Sequence, residues 1–499
     1  MRKGHPSTRN ATLTRARTLF VFAWVLAVHG YVPAAPPKAP RPDDAPGGAK
    51  RTLKGPFRGD AVLDLQRRRP TPAFPLKTAE GGRYLVDQHG APFLIAGESP
   101  QALMVNLTEE EAELFFANRQ AHGFNAVWIN LLCRKGTGGR ADGSTHDGLL
   151  PFQTADDFAT PNEAYFTRCD RMIRLAEKHG LLVFLDPCET IDHLKLMLKN
   201  GPEKCRAFGR YLGNRYKDFD NFLWMHGNDF QTWKDPAHDA VVLAVAQGIR
   251  DKDKRHLHTI ELDYLVSGSL DDARWAPVID VNATYTYYPT YAQVLKDYNR
   301  PNAKPVVMIE SCYEFEQEST SAVLRRQEYW SLLGGAAGQL YGNGYTWPFK
   351  PGWKNQLDTP GAVQMAYVQA LFVPRPWHRL VPDQKHRVVT AGYGTFDSTT
   401  TPGNTYGMTS DYVTAGRTPD GSLMMAYLPS LRTVTVDMSR LSAPASAHWY
   451  DPSRGTYAAV AGSPLANTGT RKFTPPGKNG DGDGDWVLVL ETKPPRSAK

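Results

Sequence analysis

The fold is decided by short apolar runs that end in polar side chains, and three of them show the pattern most clearly. They are Leu181–Asp186 (LLVFLD), Asn221–Asp229 (NFLWMHGND) and Pro305–Glu310 (PVVMIE). Continuous runs of this kind are typical of strands that are buried on both faces of a parallel sheet. Five similar runs complete a set of eight, at residues 93–98, 125–130, 258–262, 279–284 and 337–341.

Helical patterns separate these runs. Thr108 and Glu111 have the spacing of a capping box at the start of one helix, and Gly180 is placed to end another. An open doubly wound sheet would need a phosphate-type glycine loop after its first strand, and residues 97–100 (GESP) do not form one. Eight strands alternating with helices therefore predict an α/β fold, a (β/α)₈ TIM barrel over residues 81–386.

The character of the sequence changes near residue 387. Strand-like runs such as Leu423–Tyr427 and Trp486–Leu490 alternate with turn sequences, which predicts a small antiparallel β-sandwich over residues 387–499. The acidic segment Asp481–Asp485 (DGDGD) lacks the glycine and the glutamate that a calcium loop needs at its sixth and twelfth positions. We interpret it as an acidic hairpin tip.

The N-terminal 80 residues differ in composition from the rest of the chain. Basic residues precede an apolar run from Leu19 to Val28, which is too short to span a bilayer, and small residues follow it. We predict a signal peptide over residues 1–35, with a buried N-terminal helix as the alternative, and a Pro- and Arg-rich disordered linker over residues 36–80. Such a protein would be secreted or periplasmic, and no other run in the sequence is long enough for a membrane span.

Charge and cysteine content exclude several classes of protein. The first 80 residues hold 15 Lys and Arg against 5 Asp and Glu, whereas the remaining 419 hold 43 against 46. The predicted folded part therefore has no basic footprint for nucleic acid. The five cysteines show no zinc or redox spacing, and both a Cys188–Cys205 disulfide and reduced core thiols stay open. The sequence carries no cofactor or metal motif, and we expect the chain to act as a monomer.

Polar side chains at the carboxyl ends of the predicted strands define the candidate site, because barrel enzymes carry their chemistry there. Asp229 follows the fourth run and Glu310 ends the seventh, so the two are predicted to face each other across the barrel mouth. Cleavage of a glycosidic bond needs such a pair, with one carboxyl protonated and the other ionised. The residues predicted to line the pocket for a carbohydrate are Glu98, Asn130, Asp186, His226, Asn228, Tyr287 and Trp347.

Several segments resemble the apiosidase-like glycoside hydrolases, which fall within the clan of retaining barrel glycosidases. The resembling segments are Thr108–Ala112 (TEEEA), Gly123–Val127 (GFNAV), Ala176–Leu181 (AEKHGL) and Gly227–Asp229 (GND). The resemblance implies that Asp229 is the acid/base and Glu310 the nucleophile, and that the anomeric configuration is retained. It also implies a polysaccharide substrate, with a pentofuranoside such as apiose as a candidate sugar. Glu98-Ser99 stands where this family has Asp-Thr.

Other functions stay open at the level of sequence. The barrel could be a catalytically inactive carbohydrate-binding scaffold, although the presence of both Asp229 and Glu310 favours an enzyme. The segment His448–Gly455 (HWYDPSRG) resembles the small β domain that follows these barrels and is named for collagen binding. This domain could attach the protein to a matrix, or it could serve only as a structural cover of the barrel.

Overall fold

The structure is a computed structural model, and it describes residues 71–231, 234–263, 266–316, 319–398 and 410–492. The predicted signal peptide and most of the predicted linker lie outside the described residues. The last ten residues of the predicted linker are described, and part of them belongs to the fold, contrary to the prediction. Leu76 is buried in the apolar core, and Lys77–Thr78 forms a strand. No helix within the described ranges is long and apolar enough to cross a membrane.

The strands of the barrel coincide with the eight predicted runs. Three short strands precede them: β1 Lys77–Thr78, β2 Leu85–Val86 and β3 Pro92–Phe93. The next nine are β4 Ile95–Glu98, β5 Ala126–Asn130, β6 Leu182–Asp186, β7 Phe222–Phe230, β8 His258–Leu262, β9 Val266–Gly268, β10 Asn282–Thr286, β11 Val306–Glu310 and β12 Gly338–Tyr341.

The sheet order confirms the predicted (β/α)₈ barrel. Eight parallel strands lie in the order β8-β7-β6-β5-β4-β12-β11-β10, and β9 adds antiparallel to β10. The amides of Asp280 and Val281 donate to the carbonyl of His258, which joins the start of β10 to β8 and brings the two ends of the sheet together. The helices of the described part are α1 Leu103–Asn106, α2 Glu109–Ala121, α3 Glu163–Lys178, α4 Leu194–Tyr216, α5 Pro236–Lys252, α6 Thr290–Tyr298, α7 Ser321–Leu333 and α8 Pro360–Phe372.

Alternate residues of each barrel strand point to opposite faces of the sheet. Trp128, Phe184 and Met225 belong to the cluster that fills the barrel interior. Their neighbours in sequence, such as Trp224, belong to the cluster between the strands and the helices. This alternation determines which of the polar residues near the strand ends can reach the mouth of the barrel.

The C-terminal part is a β-sandwich, as predicted. Its strands are β13 Val381–Pro382, β14 Val389–Ala391, β15 Thr414–Arg417, β16 Leu423–Leu428, β17 Val434–Asp437, β18 Ser446–Asp451, β19 Thr456–Ala459, β20 Thr470–Phe473 and β21 Trp486–Glu491. A six-stranded sheet, β13-β15-β16-β21-β18-β19, packs on a three-stranded sheet, β14-β17-β20. Because β13 pairs with β15, this domain begins a few residues before the predicted boundary at residue 387.

The sandwich is attached to the barrel by an apolar and ionic seam. Tyr329 of α7 stacks on Tyr427 of β16 with 5.0 Å between ring centroids. The indole of Trp330 donates to the carbonyl of Tyr412 at 2.9 Å. Arg325, also in α7, is fully buried and binds the acidic segment 481–485. The segment interpreted as an acidic hairpin tip thus contacts the barrel.

All five cysteines are buried free thiols, so the Cys188–Cys205 disulfide is not formed. Burial raises the pKa of the Cys205 and Cys312 thiols to about 12. A thiol with such a pKa stays protonated at neutral pH, and its nucleophilic form is scarce. The cysteines therefore behave as small apolar core residues.

Candidate active site

Strand β7 ends in a backbone bulge that carries Asp229. Gly227, Asn228 and Asp229 have φ angles of 89°, 119° and 53°, three consecutive residues in the left-handed region. The pairing of β7 with β8 shifts register between Gly227 and Phe230. A Cβ atom on Gly227 would lie 2.3 Å from the carbonyl oxygen of Glu261, so only glycine fits there. Such strain in non-glycine residues is found where function fixes the backbone.

Asp229 occupies a half-buried position at the end of this bulge. Burial raises the pKa of its carboxyl to about 6, against the lowering effect of a hydrogen bond with the Tyr285 hydroxyl; the charge of Asp263 raises the pKa further. Its Oδ1 atom is buried and has no hydrogen-bond partner within the described residues. Asp229 therefore has an oxygen available for a ligand and a pKa near neutrality.

Glu310 ends β11 and is surrounded by tyrosine hydroxyls. Tyr287 donates to Oε1 at 2.7 Å, and Tyr313 donates to Oε2 at 2.8 Å. A register shift between β10 and β11 places Glu310, rather than Ile309, opposite Tyr285. Burial and the charge of Asp229 raise the pKa of Glu310 to about 8, and hydrogen bonds from the three tyrosines lower it.

Tyr285 connects the two carboxyl groups. Its hydroxyl lies within hydrogen-bonding reach of both, and its presence there lowers the pKa of Asp229 and that of Glu310. It also donates to the hydroxyl of Tyr287 at 2.9 Å. Asp229 and Glu310, the pair predicted from the sequence, therefore belong to one buried site.

A third carboxyl group, Glu261, lies beside this pair and was not found from the sequence. It is fully buried within β8, and its Oε2 accepts from the backbone amide of Asp229 at 3.2 Å and from the side-chain amide of Asn228 at 3.3 Å. Burial and the charges of Glu310 and Asp229 raise its pKa well above the ordinary value. The sequence feature that could have indicated Glu261 is an acidic residue inside the buried run His258–Leu262, because charged residues are rarely fully buried unless they are paired.

Asn130 and Asp186 end neighbouring strands on the interior face and lie opposite each other in the pairing of β5 with β6. The indole of Trp128 donates to Oδ1 of Asn130 at 2.9 Å, and the amide of Cys188 donates to Oδ1 of Asp186 at 2.9 Å. The Nδ2 of Asn130 and the Oδ2 of Asp186 are buried without a hydrogen-bond partner in the described residues. These atoms are a donor and an acceptor that a sugar hydroxyl could satisfy.

Glu98 and His226 point away from the barrel interior, which corrects the prediction that they line the pocket. Glu98 forms a fully buried ion pair with Arg119 of α2 and accepts from Thr346. The His226 Nε2 lies 3.0 Å from the Nδ1 of His258, and the ring packs against Trp275. Glu98 and His226 are at strand positions whose side chains face outward, so these side chains enter the layer between the strands and the helices.

Trp347 follows β12 on a loop at the carboxyl end of the barrel and is half-buried. Its indole donates to Oε1 of Glu316 at 2.8 Å, and its carbonyl accepts from the amide of Ala102 at 3.0 Å. The neighbouring Gln101 reaches the hydroxyl of Tyr313, which binds Glu310. Trp347 thus stands on the same rim as the carboxyl pair, and its role as a stacking platform stays a prediction. Within the described ranges, no group of three or more His, Cys, Asp or Glu side chains is placed to hold a metal ion.

Comparison with known proteins identifies matching family models and solved structures of similar fold. The family model for the catalytic domain described as "Apiosidase-like" matches residues 79–379, and a model named for the collagen-binding domain of a collagenase matches residues 402–491. A structure titled "Glycoside hydrolase" is 24% identical over 86% of this chain and 98% of its own, with a TM-score of 0.70. A family 5 glycoside hydrolase from Bacteroides vulgatus is 23% identical over 85% of this chain and 95% of its own, with a TM-score of 0.71. No curated protein matches the chain in sequence.

Proposed function

The chain belongs to the apiosidase-like family of glycoside hydrolases, and we propose that it cleaves a glycosidic bond in a polysaccharide with retention of the anomeric configuration. Asp229 is the acid/base and Glu310 is the nucleophile. A pentofuranoside such as apiose is the candidate sugar, by analogy with the family.

One observation supports this assignment most strongly: the half-buried Asp229 carboxyl and the buried Glu310 carboxyl both lie beside the Tyr285 hydroxyl, and both have raised pKa values. Two neighbouring carboxylates in a buried site do not ionise together cheaply. With pKa values of about 6 for Asp229 and about 8 for Glu310, the pair holds a single proton near neutral pH. One acid and one base are thus available at the same time, as bond cleavage requires.

The two residues act in two steps. In the first, Asp229 donates its proton to the leaving oxygen while a Glu310 oxygen attacks the anomeric carbon, which breaks the glycosidic bond and forms a glycosyl ester. In the second, Asp229 takes a proton from water, and the water oxygen displaces Glu310 from the anomeric carbon. The hydroxyls of Tyr287 and Tyr313 stabilise the Glu310 carboxylate before attack and after release.

Because the two carboxyl groups interact, the single proton belongs to the pair rather than to either residue. The reaction requires the proton on Asp229. A leaving oxygen beside Asp229 would accept a hydrogen bond from its protonated form, and positive charge developing at the anomeric carbon would favour the Glu310 anion. Substrate binding therefore favours the proton on Asp229. The opposite assignment of roles, with Glu310 as acid, is tested by the leaving-group and trapping experiments described below.

The test is turnover of aryl glycosides by the full chain, beginning with apiofuranosides, arabinofuranosides and common pyranosides, followed by polysaccharides. Release of the aryl alcohol or of reducing ends supports the proposal if the matched variants Glu310→Gln and Asp229→Asn, which keep shape and remove acidity, lose it. Binding of a glycan without any turnover by the wild-type protein would instead support an inactive carbohydrate-binding scaffold.

We also propose that residues 1–35 are removed as a signal peptide and that the mature protein is secreted or periplasmic. The proposal rests on the basic and apolar pattern of the N-terminus. Mass spectrometry of protein recovered from the medium or periplasm should place the mature N-terminus near residue 36. Recovery of the full-length chain from the cytoplasm alone would contradict the proposal.

A further inference from the structure

We infer that Glu261 is the positioning residue for Asp229, holding the left-handed turn 227–229 through hydrogen bonds to its neighbours. The inference rests on the proposed function, because it concerns the step in which Asp229 donates its proton. Glu261 is not a catalytic residue in this scheme, since it acts on the reaction only through Asp229.

The geometry supports this role because one oxygen of Glu261 holds two consecutive residues. Its Oε2 accepts from the Asn228 side chain and from the Asp229 backbone amide. Asn228 and Asp229 both have positive φ angles, a conformation that non-glycine residues adopt only when their surroundings impose it. A bond to the backbone amide of Asp229 holds the backbone conformation of that residue, and so the direction of the Cα–Cβ bond from which the carboxyl extends.

A second contact fixes the same turn from the opposite side. The hydroxyl of Thr190, which lies on the segment after β6, donates to the carbonyl of Asn228 at 2.7 Å. The approach of Gly227 to the Glu261 carbonyl leaves no room for a side chain between β7 and β8. The turn is therefore bound on both flanks, with Glu261 as its partner inside the barrel.

The surroundings of Glu261 favour its neutral acid form, although the two hydrogen bonds that it accepts favour the anion. Burial and the nearby charges of Glu310 and Asp229 raise its pKa, and its Oε1 is buried without a hydrogen-bond partner in the described residues. A neutral carboxyl accepts both N–H groups at one oxygen and adds no second negative charge beside the one that the pair carries near neutral pH. A glutamine at this position would present a carbonyl oxygen of the same reach.

The test compares Glu261→Ala and Glu261→Gln with Asp229→Ala on aryl glycosides of the sugar that the enzyme hydrolyses. Loss of general acid catalysis costs on the order of 10²- to 10⁴-fold with a poor leaving group and far less with a good one. We expect Glu261→Ala to show the same leaving-group dependence, with a loss of at least tenfold for the poor leaving group. Glu261→Gln should be at least tenfold more active than Glu261→Ala. In an Asp229→Ala background, Glu261→Ala should add no further loss.

Glu328 in α7 provides a matched control, since it is also a buried glutamate with a raised pKa and an oxygen that has no hydrogen-bond partner in the described part of the chain. Among the same residues it makes no hydrogen bond to the turn 227–229. Glu328→Gln should leave the leaving-group dependence unchanged. Equal losses by Glu261→Ala on good and poor leaving groups, or losses that add to those of Asp229→Ala, would overturn the inference.

A structural measurement separates this inference from the proposed function. Crystal structures of Glu261→Gln and Glu261→Ala should show the turn 227–229 kept in the first and displaced in the second. An unmoved turn in Glu261→Ala contradicts the inference even if the enzyme is active, and a displaced turn supports it even if no glycoside is hydrolysed. If Glu261→Ala does not fold, Glu261→Asp takes its place, because its side chain is one methylene shorter and its carboxyl oxygen no longer reaches the turn. A displaced turn in that variant supports the inference, and an unmoved turn contradicts it.

Discussion

Removing the carboxylate of Asp485 should destabilise the whole folded protein, because this carboxylate binds a buried arginine through two nitrogen atoms. Arg325 of α7 is fully buried. Its Nε and Nη2 bind the two carboxylate oxygens of Asp485 at 2.8 Å each, and Nη2 also binds Asp483 at 2.7 Å. A paired arrangement of this kind, with both partners out of solvent, holds the barrel to the sandwich.

The magnitude follows from what Asp485→Ala leaves behind. Breaking a buried ion pair on one side costs about 3–5 kcal/mol, because the remaining charge is desolvated and unpaired. Asp483 cannot take over fully, since its side chain is 40% exposed and its bond to Arg325 uses one nitrogen. We therefore expect the free energy of unfolding to fall by about 3 kcal/mol or more. The double variant with Arg325→Ala should lose about 1–3 kcal/mol less than the sum of the two single losses.

Urea unfolding followed by circular dichroism and by intrinsic fluorescence measures these values. Arg379→Ala serves as the control, since its bond to Asp420 joins two side chains that are more than 40% exposed. It should cost less than about 1 kcal/mol. A loss by Asp485→Ala no larger than that of the control, or purely additive losses in the double variant, would refute the reasoning.

Three other predictions follow from the site and the seam. The pH profile of kcat/KM should be bell-shaped, rising through about pH 6 and falling through about pH 8, because the active pair has one proton bound and one lost. In Asp229→Asn, the falling limb of the profile should vanish and the pKa of Glu310 should drop. An unchanged profile in that variant would exclude coupling between the two carboxyl groups. Tyr287→Phe should lower kcat about 10- to 100-fold at neutral pH, because losing a hydrogen bond of about 1.5–3 kcal/mol to the carboxylate raises the pKa of Glu310 and leaves less of the ionised nucleophile. Stopped assays on the purified variant measure the loss, and a loss smaller than threefold would contradict a role at Glu310. Deletion of residues 381–499 should expose the apolar seam around Tyr329 and Trp330 and give aggregating protein, as light scattering would report; a soluble barrel with an unchanged melting temperature would contradict a structural role for the sandwich.

The strand runs and their polar ends could be predicted because burial on both faces leaves a plain sequence signal. Leu182–Asp186 and Val306–Glu310 are apolar until their last residue, and those residues stand where chemistry was expected. The direction of each side chain could not be predicted in the same way. When both faces of a strand are apolar, apolar and polar residues do not alternate along it, and the sequence does not show which side chains face the barrel interior. Glu98 and His226 were therefore assigned to the wrong face.

The backbone irregularities at the site had no sequence signal of comparable strength. Asn228 and Asp229 reach their positions through a left-handed bulge, and Glu310 reaches Tyr285 through a register shift. Both depend on pairing between strands that are distant in sequence. Glu261 was overlooked for a related reason, since it lies inside a strand rather than at its end and becomes part of the site only because the bulge of β7 approaches it.

The most direct test of the central claim is a covalent trap in the Asp229→Ala variant. Given an activated aryl glycoside of a hydrolysed sugar, this variant keeps a nucleophile but has no base for the second step, so the glycosyl-enzyme should accumulate. Intact mass spectrometry should show the chain heavier by one sugar residue, and peptide mapping should place that sugar on Glu310. Steady turnover with no adduct, or an adduct on another residue, would contradict the assignment of Glu310 as the nucleophile of a retaining enzyme.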